Sequence, residues 1–141
     1  QVLREGCLAG MQVDRNTSGA TIEVPFCGRT AWFPTGPAML ARVTGAPLVP
    51  SLFVVEPPAP GSSRRRVQHY LEAPIYVAET RDRSADIRQA TAALAAVYER
   101  FVRRYPEQWY QFFDFFAPPS VQAAEAKARP TEGAESRSEP T

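Results

Sequence analysis

Residues Gly10 to Pro50 read GMQVDRNTSGATIEVPFCGRTAWFPTGPAMLARVTGAPLVP, and the fold expected of the chain turns on how this stretch is read. Together with the residues just before it, it opens with Cys7-Leu8-Ala9-Gly10-Met11-Gln12-Val13, a near-continuous apolar run halted by Asp14-Arg15-Asn16-Thr17-Ser18-Gly19. A short apolar run stopped by turn formers predicts a central strand covered on both faces, with Asp14 at its carboxyl end. Thr21 to Phe26 then alternates as a strand, Cys27-Gly28-Arg29 turns the chain, and Thr30 to Phe33 returns, which predicts a hairpin with Gly28 supplying the turn. Pro25 confines that strand to an edge or to its last residue.

Pro34-Thr35-Gly36-Pro37 opens a helix, with Thr35 as its cap and Pro37 in its first turn. The helix is expected to run to about Thr44, stop at Gly45 and bury Met39, Leu40 and Val43 on one face. The apolar stretch Ala46 to Val55 follows after a single glycine. Strand, helix and strand in this order make a β-α-β crossover, which predicts parallel pairing of residues 46–55 with residues 7–13. The fold class expected is therefore α/β, a mostly parallel sheet with flanking helices, incomplete at its amino end. Val2-Leu3-Arg4-Glu5-Gly6 reads as a helix end with a glycine stop, so the chain is expected to begin inside a domain.

Downstream, Glu56 to Arg64 is rich in Pro, Gly and Ser and reads as a loop, and Arg65 to Glu72 alternates as an exposed strand. Ser84 is the expected cap of a long helix with Asp86 in its first turn. Its buried stripe is Ile87, Thr91, Leu94, Tyr98, Phe101 and Tyr105, and Pro106 breaks it. An aromatic segment, Trp109 to Phe116, follows; it reads equally as core packing or as a part that dips into a bilayer interface. Residues 1–116 are thus expected to belong to one domain. Residues 117–141, made of Pro, Ala, Ser, Glu and Arg without an apolar pattern, are expected to be a disordered tail.

Of the 141 residues, 16 are Lys or Arg and 15 Asp or Glu, a balance that does not call for a nucleic-acid partner through bulk charge. Lys127 is the only lysine. Cys7 and Cys27 sit in apolar surroundings without a metal-type spacing and read as buried free thiols. No apolar run approaches the roughly 18 residues of a membrane span. With one histidine and unclustered cysteines a zinc site is not expected, and no glycine-rich phosphate loop is present. His69 lies in a mostly polar strand and reads as solvent-facing. Arg64-Arg65-Arg66 reads as a solvated strand entrance or as a contact to anionic lipid. Asp14-Arg15-Asn16 admits two readings: a turn held by Asx-type bonds, or a site in which Asp14 holds a hydroxyl, Arg15 clamps a phosphate and Asn16 bridges either.

Taken in order, Asp14-Arg15-Asn16, Val24-Pro25-Phe26-Cys27-Gly28-Arg29, Pro34 to Ala41, Thr44 to Pro50 and Tyr105-Pro106-Glu107-Gln108-Trp109 resemble the lysophospholipid acyltransferase superfamily. The branch is that of the bacterial lipid A biosynthesis (lauroyl/myristoyl) acyltransferases and their phosphatidylinositol-mannoside relatives, and the resemblance spans Leu3 to about Phe116. It implies transfer of a fatty acyl chain from an acyl carrier protein or coenzyme A thioester to a hydroxyl of a membrane glycolipid or lysophospholipid. It implies no cofactor beyond that donor, and a place at the cytoplasmic face of the bacterial inner membrane. The resemblance also implies that Asp14, Arg15, Asn16, Arg29, Thr35 and Gly36 bind substrate. The family's general base is a histidine followed five positions later by an acid; here Pro74 stands five after His69, so no catalytic residue is assigned within this chain. The chain by itself is accordingly expected to position an acceptor rather than turn it over. The alternative is a non-catalytic module of the same fold that holds lipid head groups. Phe112-Phe113-Asp114-Phe115-Phe116 lacks the His or Arg usual at the close of the aromatic motif, a departure that points away from a strict lipid A acceptor.

Overall fold

The computed structural model describes residues 2–15 and 20–128. Its organising piece is a hairpin of β1 (Thr21–Phe26) and β2 (Arg29–Pro34), antiparallel and in register from Thr21 opposite Pro34 to Phe26 opposite Arg29. Only Cys27 and Gly28 connect the strands, at φ 51° and 78°. A two-residue turn with both φ values positive has the twist that matches the flanking strands, and Gly28 adopts it without steric cost. The expected hairpin and its turn are therefore present, with Pro25 in a strand that has one partner.

The hairpin packs on α2 (Arg83–Arg104), and residues after that helix close over both. Val24, Phe26, Ala31 and Phe33 meet Ala95, Val102 and Phe115, with Tyr98, Trp109, Phe113 and Phe116 around them. Phe26 is wholly buried and lies within 5.2 to 5.7 Å, ring centre to ring centre, of Phe33, Tyr98, Trp109 and Phe115. These spacings suit edge-on and offset aromatic contacts. The stripe expected on α2 is present: Ile87, Thr91 and Leu94 are buried, and Tyr98, Phe101 and Tyr105 are partly covered. The helix stops where Pro106 starts a 3-10 turn, Pro106–Gln108. Its cap is Asp82 rather than Ser84: the Asp82 carboxylate accepts from the Ala85 backbone N–H at 3.0 Å. Two acceptable capping residues stand two apart, and the one whose carboxylate reaches a free N–H of the first turn closes the helix.

α1 (Gly36–Thr44) runs as expected and ends at Gly45, φ 72°, whose N–H bonds back to the Ala41 carbonyl at 2.8 Å. A Cβ at Gly45 would meet nothing within 4 Å, so only the backbone conformation opposes a side chain there. Gly45→Ala is expected to cost about 1 kcal/mol of stability, the penalty for a left-handed alanine, measured by urea unfolding. The buried face of α1 differs from the expected one. Pro37, Ala38 and Ala41 pack inward, Ala38 against Ile87 and Ala90 of α2, whereas Leu40 and Val43 are exposed. Small residues allow the close approach of two helices, and the larger ones are left on the open side.

Among the described residues the sheets are antiparallel, so the expected mostly parallel sheet does not form. The structure holds two separate antiparallel pairs, β1 with β2, and β3 (Ser51–Glu56) with β4 (Arg66–Leu71). Residues 7–13, expected to be a central strand, form no ladder, and Leu8 is 96% exposed. β3 instead turns back through the loop 57–65 onto β4, and Leu48 bridges Ile75. Pairing with the next segment closes a short loop, while pairing with residues 7–13 would span a whole helix and hairpin. Residues 51, 53 and 55 of β3 with 67, 69 and 71 of β4 make an open face, on which Phe53, Val67 and Leu71 are exposed. On the other face Val54 is buried. At one edge of β3 the Gln108 side-chain amide accepts from the Val55 N–H at 2.7 Å and donates to the Val55 carbonyl at 3.0 Å, standing in for a strand residue.

Two further expectations change. Pro119–Ala128, placed in the expected disordered tail, forms the helix α3; residues 129–141 lie outside the described residues. Cys7 is exposed rather than buried, and Cys27 is half-buried; both are free. Burial first, then the nearby Glu99 carboxylate, raises the Cys27 thiol above its ordinary pKa, so it stays protonated.

Candidate functional site

The polar end of the Gly10 to Pro50 stretch folds against the aromatic core. Asp14 is half-buried, and its Oδ2 accepts two hydrogen bonds: from the Tyr98 hydroxyl at 3.2 Å and from the Gln111 side-chain amide at 2.9 Å. These donors lie 84 and 97 residues away in the chain. Tyr98 is held by its own ring, stacked on Phe26 at 24° between planes and edge-on to Phe33. Burial, followed by the Asp14 charge, raises the Tyr98 phenol above its ordinary pKa, against opposing effects of Gln111 and Trp109. The phenol therefore remains a donor across the physiological range. The Trp109 ring stands edge-on to Tyr98 at 6.4 Å, and its Nε1 is buried with no hydrogen-bond partner among the described residues. Arg15, next in sequence, is exposed.

Thr35 and Gly36 form the elbow at the foot of the hairpin. Thr35 is buried; its N–H and its hydroxyl both donate to the Ala20 carbonyl, at 3.1 and 3.3 Å, which ties the start of α1 to the start of β1. It stands at the cap position with helical backbone angles and makes no side-chain cap bond, so its hydroxyl serves the elbow instead of α1. A Cβ at Gly36 would lie 3.5 Å from the Met11 Cε, so the Met11 side chain rests against this glycine. Met11 is three residues from Asp14, at most about 11 Å of chain, so the elbow and the Asp14 segment are neighbours. Beside them runs an open groove of about 480 Å³ lined by Ala20, Thr35, Gly36, Met39, Leu40 and Val43.

Of the expected site residues, Thr35 and Gly36 line the groove, Asp14 rests on Tyr98 and Gln111 with Arg15 exposed beside it, and Asn16 lies outside the described residues. Arg29 is not with them. It sits at the hairpin tip, five strand steps or about 17 Å from Pro34, with its guanidinium 4.1 Å over the Phe116 ring. Arginine on an aromatic face is a packing contact as much as a charge. Tyr98 and Gln111 went unnoticed in the sequence, Tyr98 because it counted as core stripe and Gln111 because nothing local marks a polar residue in an aromatic run.

His69 is exposed, as expected, but not alone. Its ring stacks on Phe53 at 4.2 Å and its Nε2 meets the Ser51 hydroxyl at 2.7 Å. The pair arises across the β3–β4 ladder, 18 residues apart, a separation that only the register reveals. Among the described residues no carboxylate hydrogen-bonds the other ring nitrogen, so this is not an acid-oriented base. Of the Arg64 to Arg66 run, all exposed, Arg66 reaches Glu56 at 3.4 Å. The aromatic segment divides: Trp109, Phe113, Phe115 and Phe116 pack into the core, whereas Tyr110 and Phe112 face outward. Among the described residues no group of three or more His, Cys, Asp or Glu could hold a metal ion, and no helix is long and apolar enough to cross a membrane.

Thr35 and Gly36 line the apolar groove, and Asp14 and Arg15 follow within four residues of the Met11 whose side chain rests on Gly36. Residues 1–117 match the family model described as bacterial lipid A biosynthesis acyltransferase, and the chain belongs to that family. The match supports acyl transfer as its general activity, with a lipid acceptor and an acyl donor. No curated protein matches the chain.

Proposed function

We propose that this chain supplies the acceptor-binding part of an acyl-transfer site. A fatty acyl group passes from an acyl carrier protein or coenzyme A thioester to a hydroxyl of a membrane glycolipid or lysophospholipid, at the cytoplasmic face of the bacterial inner membrane. This reading is supported by membership of the lipid A acyltransferase family together with the apolar groove at the Thr35–Gly36 elbow, on which Met11, three residues before Asp14, rests. Arg15 suits the head-group phosphate, since guanidinium meets phosphate oxygens with paired donors. Asp14 suits an acceptor hydroxyl, since a carboxylate has capacity beyond two bonds. The general base is assigned to no residue of this chain: His69, its sole histidine, is bound to Ser51 on the separate β3–β4 pair.

The test is acyl transfer by the full-length protein, with radiolabelled lauroyl-acyl carrier protein as donor and detergent-solubilised bacterial membrane lipid as acceptor. Asp14→Ala and Arg15→Ala are each expected to lower the rate by about tenfold or more, the worth of a charged hydrogen bond to substrate. Circular dichroism spectra should stay unchanged. Wild-type rates in both variants would refute the site. Undiminished lipid binding without any transfer by the wild type would favour the non-catalytic head-group module.

A further inference from the structure

We propose that Tyr98 and Gln111 are positioning residues that clamp the Asp14–Arg15 segment onto the aromatic core, an inference that rests on the reading of this segment as the acceptor-binding element. Among the described residues the segment has no ladder: residues 7–13 pair with no strand, and Asp14 and Arg15 lie in a bend. Backbone without a ladder is held in place by its side-chain contacts. Asp14 Oδ2 is bound twice, by donors from two different elements, the middle of α2 and the aromatic segment beyond it. Both donors are neutral, so the carboxylate is fixed in place without its charge being cancelled by a guanidinium. Each donor is itself supported. The Tyr98 ring is stacked on Phe26, and Gln111 is carried between Trp109 and Phe113, both packed against the core.

The consequence is that the core sets where the acceptor head group is met. Arg15 follows Asp14 directly, so fixing the Asp14 side chain limits where the neighbouring guanidinium can reach. Gln111 adds a link that explains a polar residue within Trp109 to Phe116: it joins the first part of the aromatic run to Asp14.

Tyr98→Phe keeps the aromatic stack and removes one donor; Gln111→Glu keeps the shape and sets a second carboxylate against Asp14. Limited proteolysis of the full-length protein reads the clamp directly. Tryptic cleavage after the exposed Arg15 is expected to be about tenfold faster in either variant, while cleavage after Arg64 to Arg66 keeps its wild-type rate. In the lauroyl transfer assay the apparent KM for the solubilised membrane lipid should rise about tenfold, and the KM for lauroyl-acyl carrier protein should not move. Wild-type cleavage at Arg15 would overturn the clamp, whatever the kinetics. Faster cleavage with an unchanged acceptor KM, or with an equal change in donor KM, would overturn the positioning role. The acceptor-binding reading fails separately, if Asp14→Ala and Arg15→Ala transfer at wild-type rates; the proteolysis experiment still decides the clamp.

Discussion

Phe26→Ala is expected to lower the temperature of the cooperative unfolding transition by on the order of 20 °C. Phe26 is wholly buried, and five aromatic rings surround it: Phe33, Tyr98, Trp109, Phe115 and Phe116. It is where the hairpin, α2 and the aromatic segment meet, so no one element can move in to refill the space. Truncating such a residue costs about 3 to 5 kcal/mol, against a total stability of about 5 to 15 kcal/mol for an ordinary domain. Calorimetry and near-ultraviolet circular dichroism measure it. Phe26→Leu, which keeps most of the volume, should retain a cooperative transition at a lower temperature. A sharp wild-type-like melt in Phe26→Ala would show that the core lies elsewhere.

Asp86→Ala is expected to lower the melting temperature by on the order of 10 °C, because it removes a buried acceptor and leaves the Arg42 Nε–H and the Thr80 N–H without their partner. Asp86 is 4% exposed. It accepts from Arg42 Nε at 2.9 Å, from the Thr80 N–H at 2.9 Å and from the Thr80 hydroxyl at 2.8 Å, while Arg42 also donates to the Thr80 carbonyl at 2.8 Å. One carboxylate thus joins α1, α2 and the loop before α2. Burial alone would raise its pKa, but the bonds from Thr80 and Arg42 outweigh it and hold the carboxyl below its ordinary value. The sign follows: the folded state binds this proton more weakly than the unfolded chain does. The stabilisation is complete above the unfolded-state pKa and is lost as the pH falls through the lower, folded one. Asp86→Asn should therefore flatten the acid side of the stability profile, read as melting temperature against pH. An unchanged acid limb would mean that the network contributes nothing at this site.

The same network shows what a sequence can and cannot disclose. Asp86 was legible as a first-turn acid because acids at that place oppose the helix dipole, but its bonds to Arg42 and Thr80 were not. Arg42 is 44 residues away, and nothing between them signals contact. Asp14 behaves alike. Its turn-like neighbourhood left an Asx turn and a ligand site equally open, and the donors that fix it come from 84 and 97 residues downstream. The expected parallel sheet failed for a related reason. An apolar run such as residues 7–13 is compatible with a buried strand, but a strand exists only where a partner offers its backbone, and among the described residues no strand pairs with that run. Periodicity predicts Met39, Leu40 and Val43 inward, but it gives the width of an apolar stripe and not which neighbour it meets: Met39 does pack against the contact with α2, whereas Ala38 and Ala41 take the places expected of Leu40 and Val43.

What the sequence alone determined is local. The hairpin turn needs positive φ and has Gly28; α1 needs a left-handed stop and has Gly45; α2 carries a stripe at helical spacing and ends before Pro106. Each is decided by the backbone preferences of one or two residues or by a period within one element. The ordered motifs also carried the family. The tertiary structure alone decided which strands pair, which face of α1 is covered, and that Asp14 rests on Tyr98 and Gln111 while Arg29 rests on Phe116. Those outcomes depend on hydrogen-bond partners and packing surfaces brought together from distant parts of the chain, and their energies exceed the local preferences that a sequence displays.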